Sequence, residues 1–367
     1  MTLLYTEVEE ELRASVRDLL ADRCGADAVL RRAESEAPYD MDLWKTLSRD
    51  IGVAGLLVPE EYGGAGASAR EVAVVLEELG RAVAPLPFLT SSVLATKALL
   101  QVGEKDLIQR LASGETTAAL AVSLAASPYR PLPETVTVTD GGVLNGEITA
   151  VAGADVADVL LVPVGTALYQ VRAADVRIDV VPSLDLTRPI ATVTFSGTPA
   201  GEAIGGLDVR RVLSFGAGLL ASEQLGVAEW CLGTTLSYIK ERHQFARPVG
   251  SFQAIKHRMA DLWLDVVRAR AAARNAADLL ATAPGAPDEG EAARDRELAA
   301  AVAASWCSEV AVRVAEESVQ LHGGIGMTWE HPVHLYLKRA KSAEIAFGTP
   351  GAHREAVAAL ADLPAPA

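Results

Sequence analysis

The segment Arg242-His-Gln-Phe-Ala-Arg-Pro-Val-Gly-Ser-Phe-Gln253 interrupts the most helical part of this 367-residue sequence. Apolar residues recur at helical spacing on both sides of it. Four long helices are predicted here, at Asp208 to Glu241, Phe252 to Ala281, Glu291 to Leu321 and His331 to Ala346. Long helices in succession with short connections predict an up-and-down four-helix bundle, which we expect to occupy residues 206–367.

One connection within this bundle has a different composition. Thr282 to Gly290 is rich in Pro, Gly and acidic residues, so it is predicted to be an exposed loop. On the first bundle helix, Gly216, Gly218 and Ala221 form a face of small residues. This face predicts close helix packing.

Upstream of the bundle the sequence changes to β-branched runs separated by turn residues. Examples are Thr135-Val-Thr-Val138, Val159-Leu-Leu-Val-Pro163 and Ala191-Thr-Val-Thr-Phe195. Short runs of this kind between Gly- and Asn-containing turns are typical of antiparallel strands. We predict a small antiparallel β-barrel at residues 116–205.

The first part of the chain is again helical. Apolar residues at three- and four-residue steps predict a helix from Val8 to Leu20. Further helices are predicted at Leu43 to Gly52, Ala69 to Ala82 and Thr90 to Val102. Residues 1–115 should form an N-terminal helical domain, so the fold is mainly α with a central β domain.

Charge and composition restrict the function classes. The formal net charge is −15, which disfavours nucleic acid and anionic membrane as partners because the mean field repels both. The three cysteines, Cys24, Cys231 and Cys307, are far apart, so we expect core thiols and neither disulfides nor zinc. The N-terminus does not have the pattern of a signal peptide, and a soluble cytoplasmic protein is expected.

Four ordered segments resemble the acyl-CoA dehydrogenase family over nearly the whole chain. They are Leu56-Leu-Val-Pro-Glu-Glu-Tyr-Gly-Gly64 with Val75-Leu-Glu-Glu-Leu-Gly80, the Arg242 to Gln253 segment, Gln320-Leu-His-Gly-Gly-Ile-Gly326, and Lys338-Arg-Ala-Lys341 through Gly348-Thr349. A single Gly-Gly-x-Gly motif would be weak, whereas four at family spacing are specific. The resemblance implies the family's fold, FAD as cofactor and α,β-desaturation of a CoA thioester.

The resemblance also implies residues that contact FAD across a subunit interface: Arg242, Gln244, Phe245, Gln253, Gln320, His322, Gly323 and Gly324. Their chemistry suits this role. A guanidinium can bind a pyrophosphate through two parallel hydrogen bonds, and glycines let a pyrophosphate approach the backbone closely. Taken one at a time, Arg242 could instead make a surface ion pair, Phe245 could be core, and Gly323-Gly324 could merely end a helix.

No catalytic residue is predicted in this chain. In most members of the family the base is a Glu directly before the final Gly-Thr pair, and this position is Phe347 here. In another branch the Glu lies two residues after the Asp that matches Asp208, and this position is Arg210. Glu344, one turn before Phe347, is expected to be a surface residue.

The resemblance also shows departures in the β domain, where family members hold the flavin. The family's Gly-rich Thr-Glu-Pro segment corresponds here to Val122-Ser-Leu-Ala-Ala-Ser-Pro-Tyr-Arg130, which has no Gly-rich turn. Ala150 stands where the family's flavin-backing Trp would be. The chain therefore resembles the non-catalytic β-type subunits of actinobacterial α₂β₂ steroid side-chain acyl-CoA dehydrogenases, in which a partner chain carries the base.

Two other interpretations remain open. The chain could form a homo-oligomer with altered chemistry around Arg210, although an Arg cannot act as a base near neutral pH. It could also be a scaffold that binds acyl-CoA or only completes the fold of a partner.

Two motifs near the C-terminus have no assigned role. His331 and His334 lie three residues apart beside Trp329 and Tyr336, but no Cys or carboxylate completes a metal-ligand set, so stacking or capping is favoured. The basic run at Lys338, Arg339 and Lys341 is expected to be a solvated helix face, with a phosphate contact as the alternative.

Overall fold

The structure is a computed structural model that describes residues 3–139, 141–281 and 290–364. In its N-terminal region, four of the six α-helices begin at a capping side chain. At α1, Thr6 and Glu9 form a capping box, and Ser68 and Glu71 form the same motif at α4, satisfying amides that the first turn leaves free. The helices are α1 (Glu7–Arg23), α2 (Ala26–Ala33), α3 (Met41–Thr46), α4 (Ala69–Ala82), α5 (Thr96–Val102) and α6 (Lys105–Ala112).

Two of these helices are extended by π-helical turns. Leu47–Ile51 continues α3, and Phe88–Ala95 precedes α5. The helices predicted at Leu43 to Gly52 and Thr90 to Val102 are therefore found, each with a change of hydrogen-bonding pattern within it. The sequence prediction missed α2 and α6, because helices of eight residues give too few repeats of the apolar period to be recognised.

The central region contains strands β1 (Ala118–Leu120), β2 (Val136–Val138), β3 (Val143–Ala152), β4 (Val159–Val164), β5 (Ala167–Arg172), β6 (Arg177–Val181) and β7 (Ile190–Pro199). They form a three-stranded sheet of order β1-β4-β5 and a four-stranded sheet of order β2-β3-β7-β6. Side chains such as Leu144, Leu160 and Val193 form a small apolar core between the sheets. Pairing is antiparallel as predicted, except that β1 runs parallel to β4.

The C-terminal region is the predicted bundle, with α7 (Val209–Glu241), α8 (Gln253–Leu280), α9 (Glu291–His322) and α10 (Val333–Ile345), followed by α11 (Pro350–Leu360), which the sequence prediction missed. The predicted loop at Thr282 to Gly290 lies, apart from Gly290, outside the described residues. Segment Glu291–Met327 is long and apolar enough to cross a membrane by length and composition alone. Because 72% of its most apolar window is buried, it acts here as the core helix of the bundle.

Small residues let helices approach closely, as the sequence predicts for α7. A Cβ atom added to Gly218 would lie 2.8 Å from Leu280 Cδ1. Helices α4 and α7 approach more closely still, since a Cβ on Gly80 would lie 2.0 Å from the Glu223 carbonyl oxygen and one on Gly226 would lie 2.0 Å from that of Glu77. The N-terminal helices and the bundle therefore share one apolar core. The domain boundaries at 115 and 205 stay a prediction.

A buried ionic network joins the β domain to this core. The Arg339 guanidinium on α10 lies 3.0 Å from a carboxylate oxygen of Asp185, in the loop after β6, and 3.1 Å from one of Glu223 on α7. Arg188 pairs with the same Glu223 carboxylate, and Arg339 also donates to Thr187. Burial alone raises the pKa of Glu223, but the two guanidinium groups outweigh it, so its pKa is lowered.

This network corrects one prediction. The basic run was expected to be a solvated face, yet Arg339 is 3% exposed and paired with two carboxylates. Its neighbours differ: Lys338 lies over the Trp329 ring, and Lys341 pairs with Glu316 and Glu344. The helical turn of about 100° per residue places adjacent basic residues on different faces, so the run cannot have one role.

Candidate functional site

The Arg242 to Gln253 segment forms a short β-hairpin at the end of α7. Strands β8 (His243–Gln244) and β9 (Arg247–Pro248) pair, and the Val249 amide donates to the Arg242 carbonyl oxygen at 2.7 Å. The two turn residues, Phe245 and Ala246, have φ of +53° and +61°. Positive φ at both central residues is the geometry of a tight hairpin turn, which non-glycine residues adopt at a cost.

The hairpin presents its tip to solvent. Phe245 is 87% exposed, the largest exposed fraction among the large apolar side chains of the described residues. At the base, Arg247 lies 3.8 Å over the ring of Phe252, whose edge meets Phe245 at a centroid distance of 6.2 Å. Packing at the base therefore fixes the hairpin, while most of its aromatic tip faces solvent.

A cleft of about 380 Å³ lies beside the hairpin. It is lined by Leu236, Ile239, Lys240, Pro248, Gly250, Ser251, Lys256 and Met259. Within residues 240–258 there are five Lys or Arg residues and only one acidic residue, Glu241. This end of the bundle is therefore locally basic in a chain of net charge −15, which favours an anionic ligand here.

The second glycine-rich segment forms a 3₁₀ turn, Gly323–Met327, directly after α9. Gly323 has φ of +62°, and a Cβ atom on Gly323 or Gly324 would meet no atom within 4 Å, so this face of the turn is open. Gly326 is different, because a Cβ there would lie 2.6 Å from the Val319 carbonyl oxygen. The turn therefore folds back on the end of α9 with two glycines facing outward.

The hairpin and this glycine turn lie at the same end of the bundle, because α7 and α9 both end there and α8 begins there. Three contacts tie these ends together: Thr235 Oγ1 to Ser318 Oγ at 2.7 Å, the rings of Tyr238 and His322 at 4.6 Å, and Arg258 to Glu317 at 3.5 Å. We call the hairpin, the start of α8 and the glycine turn the hairpin end.

Seven of the eight predicted cofactor residues are exposed at the hairpin end: Arg242, Gln244, Phe245, Gln253, Gln320, Gly323 and Gly324. His322 is the exception, since it is 2% exposed and its ring is enclosed by Tyr238 and His331. Its side chain faces the interior, beneath the turn. The cofactor role of all eight residues stays a prediction.

The two positions where the family carries its base lie in a different region. Phe347 is 1% exposed, has φ of +56°, and its amide donates to the Leu124 carbonyl oxygen at 2.8 Å. The Leu124 amide in turn donates to the carbonyl oxygen of Ala150, at 2.8 Å. Ala150 also has positive φ, at +57°, within an irregularity of β3. The base position and both altered flavin positions are thus joined by main-chain hydrogen bonds.

Arg210, the other base position, has a structural contact. Its Nε donates to the Pro128 carbonyl oxygen at 2.8 Å, and its amide donates to the capping Asp208 carboxylate. It therefore holds the 122–130 segment, which lacks the family's Gly-rich turn. We call Leu124, Pro128, Ala150, Arg210 and Phe347 the closed region.

Two residues that the sequence prediction missed complete the closed region. The hydroxyl of Tyr129 lies 2.8 Å from His353 Nδ1, and the two rings meet edge to face. His353 is 2% exposed, and burial lowers its pKa to about 4. A Cβ on Gly348 would lie 3.4 Å from both the His353 ring and Ser127 Oγ. Periodicity carries no signal for a contact between residues 224 positions apart.

Glu344 lies three residues before Phe347, the usual position of the missing base. It is half-buried on α10 and its carboxylate lies 3.6 Å from Lys341 Nζ, one turn away on the same helix. This agrees with the expected surface role. The three cysteines are all buried and free, as expected for core thiols, and burial raises the pKa of each.

Comparisons with known proteins extend over the whole chain. Residues 6–115 match the family model for the acyl-CoA dehydrogenase N-terminal domain, and residues 205–361 match that for the acyl-CoA dehydrogenase C-terminal domain. The acyl-CoA dehydrogenase IpdE2 of Mycolicibacterium smegmatis is 37% identical over 94% of this chain and 96% of its own length.

Solved structures of two-chain complexes are also similar. One is the ChsE4-ChsE5 complex from Mycobacterium tuberculosis, with 30% identity, a TM-score of 0.85 and full coverage of both chains. Another is a single-site variant of the Tcur3481-Tcur3483 steroid acyl-CoA dehydrogenase, with 30% identity, a TM-score of 0.82, and 97% and 98% coverage.

Proposed function

Because this chain belongs to the acyl-CoA dehydrogenase family, a family of FAD-dependent oxidoreductases, we propose that it is the non-catalytic subunit of a heteromeric member. In this proposal the hairpin end contacts FAD held by a second acyl-CoA dehydrogenase chain. That partner supplies the catalytic Glu. The complex desaturates a CoA thioester between its α and β carbons.

The observation that carries this proposal is that both usual positions of the base, Phe347 and Arg210, make structural contacts in the closed region. A base must reach the proton on the α carbon, so its carboxylate needs an accessible position. Phe347 is instead packed into the apolar core, and a Cβ on Gly216 of α7 would lie 3.6 Å from its ring. Arg210 holds Pro128 and is cationic at neutral pH. Both base positions therefore have structural roles.

The hairpin end supports the other half of the proposal. It combines exposed Arg242, the exposed Phe245 ring and two glycines with open faces, and its net charge is positive. A guanidinium and a glycine backbone suit a pyrophosphate, and an aromatic ring suits a flat heterocycle. These groups are arranged on the outside of the chain, as a contribution to a neighbouring subunit requires.

The residues present fit FAD at one region and not at the other. When bound in the complete enzyme, FAD accepts a hydride from the β carbon of the thioester. On this chain, Arg242 would neutralise phosphate charge, Phe245 would cover an apolar ring, and Gly323 and Gly324 would let a phosphate approach the backbone. The closed region, with Ala150 and Phe347 bonded through Leu124, offers no such cradle.

The partner and substrate are finer parts of the proposal. Similarity to two structures whose chains form pairs supports a second, different acyl-CoA dehydrogenase chain and an α₂β₂ assembly. One of these similar proteins is a steroid acyl-CoA dehydrogenase, which supports a steroid side-chain thioester as the acyl group. A cytoplasmic location, as expected from the sequence, completes the proposal.

No specific observation on the described residues favours either of the two alternatives, which are a homo-oligomer with altered chemistry at Arg210 and a scaffold. Altered chemistry at Arg210 would need its guanidinium aimed at a substrate, whereas the contact that the structure gives this guanidinium is structural, from Nε to the Pro128 carbonyl oxygen. A scaffold without a cofactor role does not explain why Phe245 is exposed at positive φ, or why Gly323 and Gly324 have open faces at the same end of the bundle.

Expression of the chain with and without its partner tests the proposal. We expect the chain alone to be colourless at flavin wavelengths, and the co-expressed pair to be yellow with the mass of a heterotetramer. A yellow, acyl-CoA-reducible flavin in the isolated chain would overturn the proposal. A stable complex that retains FAD equally well after Arg242→Ala would favour the scaffold.

A further inference from the structure

Two imidazoles pack together beneath the glycine turn, and a third lies close enough to interact electrostatically with them. The rings of His322 and His331 lie 4.1 Å apart, with Tyr238 of α7 on the other side of His322 at 4.6 Å. His334, in the first turn of α10, meets the edge of Trp329 at 4.6 Å. We call these three histidines the imidazole cluster.

The hydrogen bond that His331 accepts fits only a neutral ring, and an unpaired buried nitrogen disfavours a charge on His322. His322 Nδ1 lies 2.7 Å from the Ser318 carbonyl oxygen, so Nδ1 carries the proton and Nε2 is a buried lone pair without a partner in the described chain. His331 Nδ1 accepts from the Val333 amide at 3.3 Å and thereby caps α10. Protonating His331 would place a donor against that amide and remove the cap.

His334 adds to this preference. Both of its ring nitrogens are buried, and the ring interacts with the backbone of Trp329. Charging this ring would leave at least one buried donor without an acceptor in the described chain, which is unfavourable. Charging His322 as well as His331 would place two like charges at stacking distance.

Burial and nearby groups shift the pKa values of the three histidines, some of these influences acting downward and some upward. Burial, followed by His322 and His334, lowers the pKa of His331 to about 4. Burial also lowers the pKa of His322, against the opposing Ser318 bond, and that of His334. Lys338 of α10, whose Nζ lies over Trp329, further disfavours a proton on His334, whereas a backbone hydrogen bond at Trp329 and the charge of Glu34 after α2 favour one.

The cluster is in direct contact with the glycine turn. A Cβ on Gly326 would lie 2.9 Å from His322 Cβ, so the turn rests on His322. The turn continues to Thr328, whose amide and hydroxyl both donate to the Ile325 carbonyl oxygen. His331 follows three residues later and caps the next helix. The cluster thus holds both ends of segment 323–331.

We propose that the imidazole cluster positions the glycine turn, and that its protonation in mild acid releases the turn. The cluster residues are positioning residues that act through the backbone of Gly323 and Gly324. Acid should therefore weaken FAD retention by the heteromer, and this consequence rests on the proposed function.

The direction of the pKa shifts determines how the stability of the packed turn changes with pH. Where the turn is released, the imidazoles titrate near their ordinary pKa of 6.5, whereas in the packed turn they titrate lower. Between these pKa values the released form binds more protons, so the packed turn loses stability as pH falls. Above about pH 7 both forms are neutral and the cluster contributes no pH dependence.

Hydrogen exchange of the isolated full chain tests, without a cofactor, whether protonation of the imidazole cluster releases the glycine turn. Amides of residues 320–335 should lose about tenfold in protection between about pH 7.5 and pH 5, after correction for intrinsic exchange, since one pKa unit corresponds to a factor of ten. His331→Phe keeps a ring against His322, and His331→Asn keeps an acceptor for the Val333 amide. Both should greatly reduce this acid response.

His257→Phe is the matched control, because His257 is exposed on α8 and outside the cluster. It should retain the full response. The positioning proposal is overturned by an unchanged acid response in both His331 variants, or by no response in the native chain.

The rate of FAD release from the heteromer distinguishes a failure of this proposal from a failure of the proposed function. We expect the native complex to release FAD faster at about pH 5 than at about pH 7.5, and the His331→Phe complex to release it at similar rates. If the turn loosens in the isolated chain while FAD release stays independent of pH, the imidazole coupling holds and the cofactor role of the turn is rejected.

Discussion

The hairpin end and the closed region use the same backbone feature for opposite purposes. Both contain non-glycine residues at positive φ: Phe245 and Ala246 in the first, Ala150 and Phe347 in the second. At the hairpin end this geometry holds an aromatic ring out into solvent. In the closed region it turns an aromatic ring into the core and joins three segments by main-chain hydrogen bonds.

One half of a site shared between two subunits can persist when the other half is lost. A site between two subunits consists of a part that binds the cofactor in its own chain and a part that reaches the neighbour's cofactor. Packing can replace the first part without disturbing the second, because they lie in different parts of the fold. Substitutions in each region test this separation.

Phe347→Glu should break the closed region and not restore a base. The new carboxylate would be buried without a cationic partner, so we expect a loss of unfolding free energy of about 4 kcal/mol or more. Denaturant unfolding measures it. Phe347→Leu, which keeps an apolar side chain, should lose only about 1 kcal/mol. A stable Phe347→Glu chain would show that the region has room for a carboxylate.

Arg339→Met should separate the β domain from the bundle. It leaves Asp185 and Glu223 buried with only Arg188 for compensation, and breaking such a pair costs about 3–5 kcal/mol. Lys341→Met on the same helix removes only partly exposed pairs, with Glu316 and Glu344, and should cost less than about 1 kcal/mol. Equal unfolding curves for the two variants would contradict the role assigned to the network.

Arg242→Ala should act on the complex and not on the chain. The side chain is exposed and ends α7, so the unfolding free energy of the isolated chain should change by less than about 0.5 kcal/mol. A charge-assisted hydrogen bond is worth about 1.5–3 kcal/mol, so FAD should bind the complex about ten- to a hundredfold more weakly. Arg172→Ala, an exposed Arg paired with Asp175 in the β domain, should retain flavin normally.

Phe245→Gly should have small effects of opposite sign. Glycine adopts φ of +53° without strain, so the isolated chain should gain up to about 1 kcal/mol in thermal unfolding. The complex should nevertheless lose FAD affinity, because the aromatic ring is absent. Ala246→Gly relieves the same kind of strain and keeps the ring, so it should affect only the chain. Equal FAD affinity of the native and Phe245→Gly complexes would remove Phe245 from the predicted site.

Much of the fold could be predicted from the sequence because its long elements repeat one pattern many times. Helix α4 was predicted from Ala69 to Ala82 with its observed bounds, the spans of α7 and α9 differ from prediction by one residue at one end, and that of α8 by one residue at each end. Short helices and the parallel β1–β4 pair were not predicted. Pairing direction depends on where a distant strand lies, which local periodicity does not encode.

The candidate site also has a part that could be predicted from the sequence and a part that could not. Ordered motifs identified the residues of the hairpin end, and substitution at two positions indicated that Phe347 and Arg210 cannot act as the base. The burial of His322, the Tyr129–His353 contact and the main-chain links from Phe347 to Ala150 were not predictable. Each depends on the packing of segments that are far apart in the chain.

Local periodicity and residue identity were enough to predict the long elements, the family that the chain resembles and the absence of the family's catalytic carboxylate from its two usual positions. The tertiary structure was needed to show that Arg339 is buried and Arg242 exposed, and that Phe347 closes one region while Phe245 extends from another. Like residues differ in this way because burial and partners are set by long-range packing, which brings distant segments together and fixes the free energy of every charge and ring.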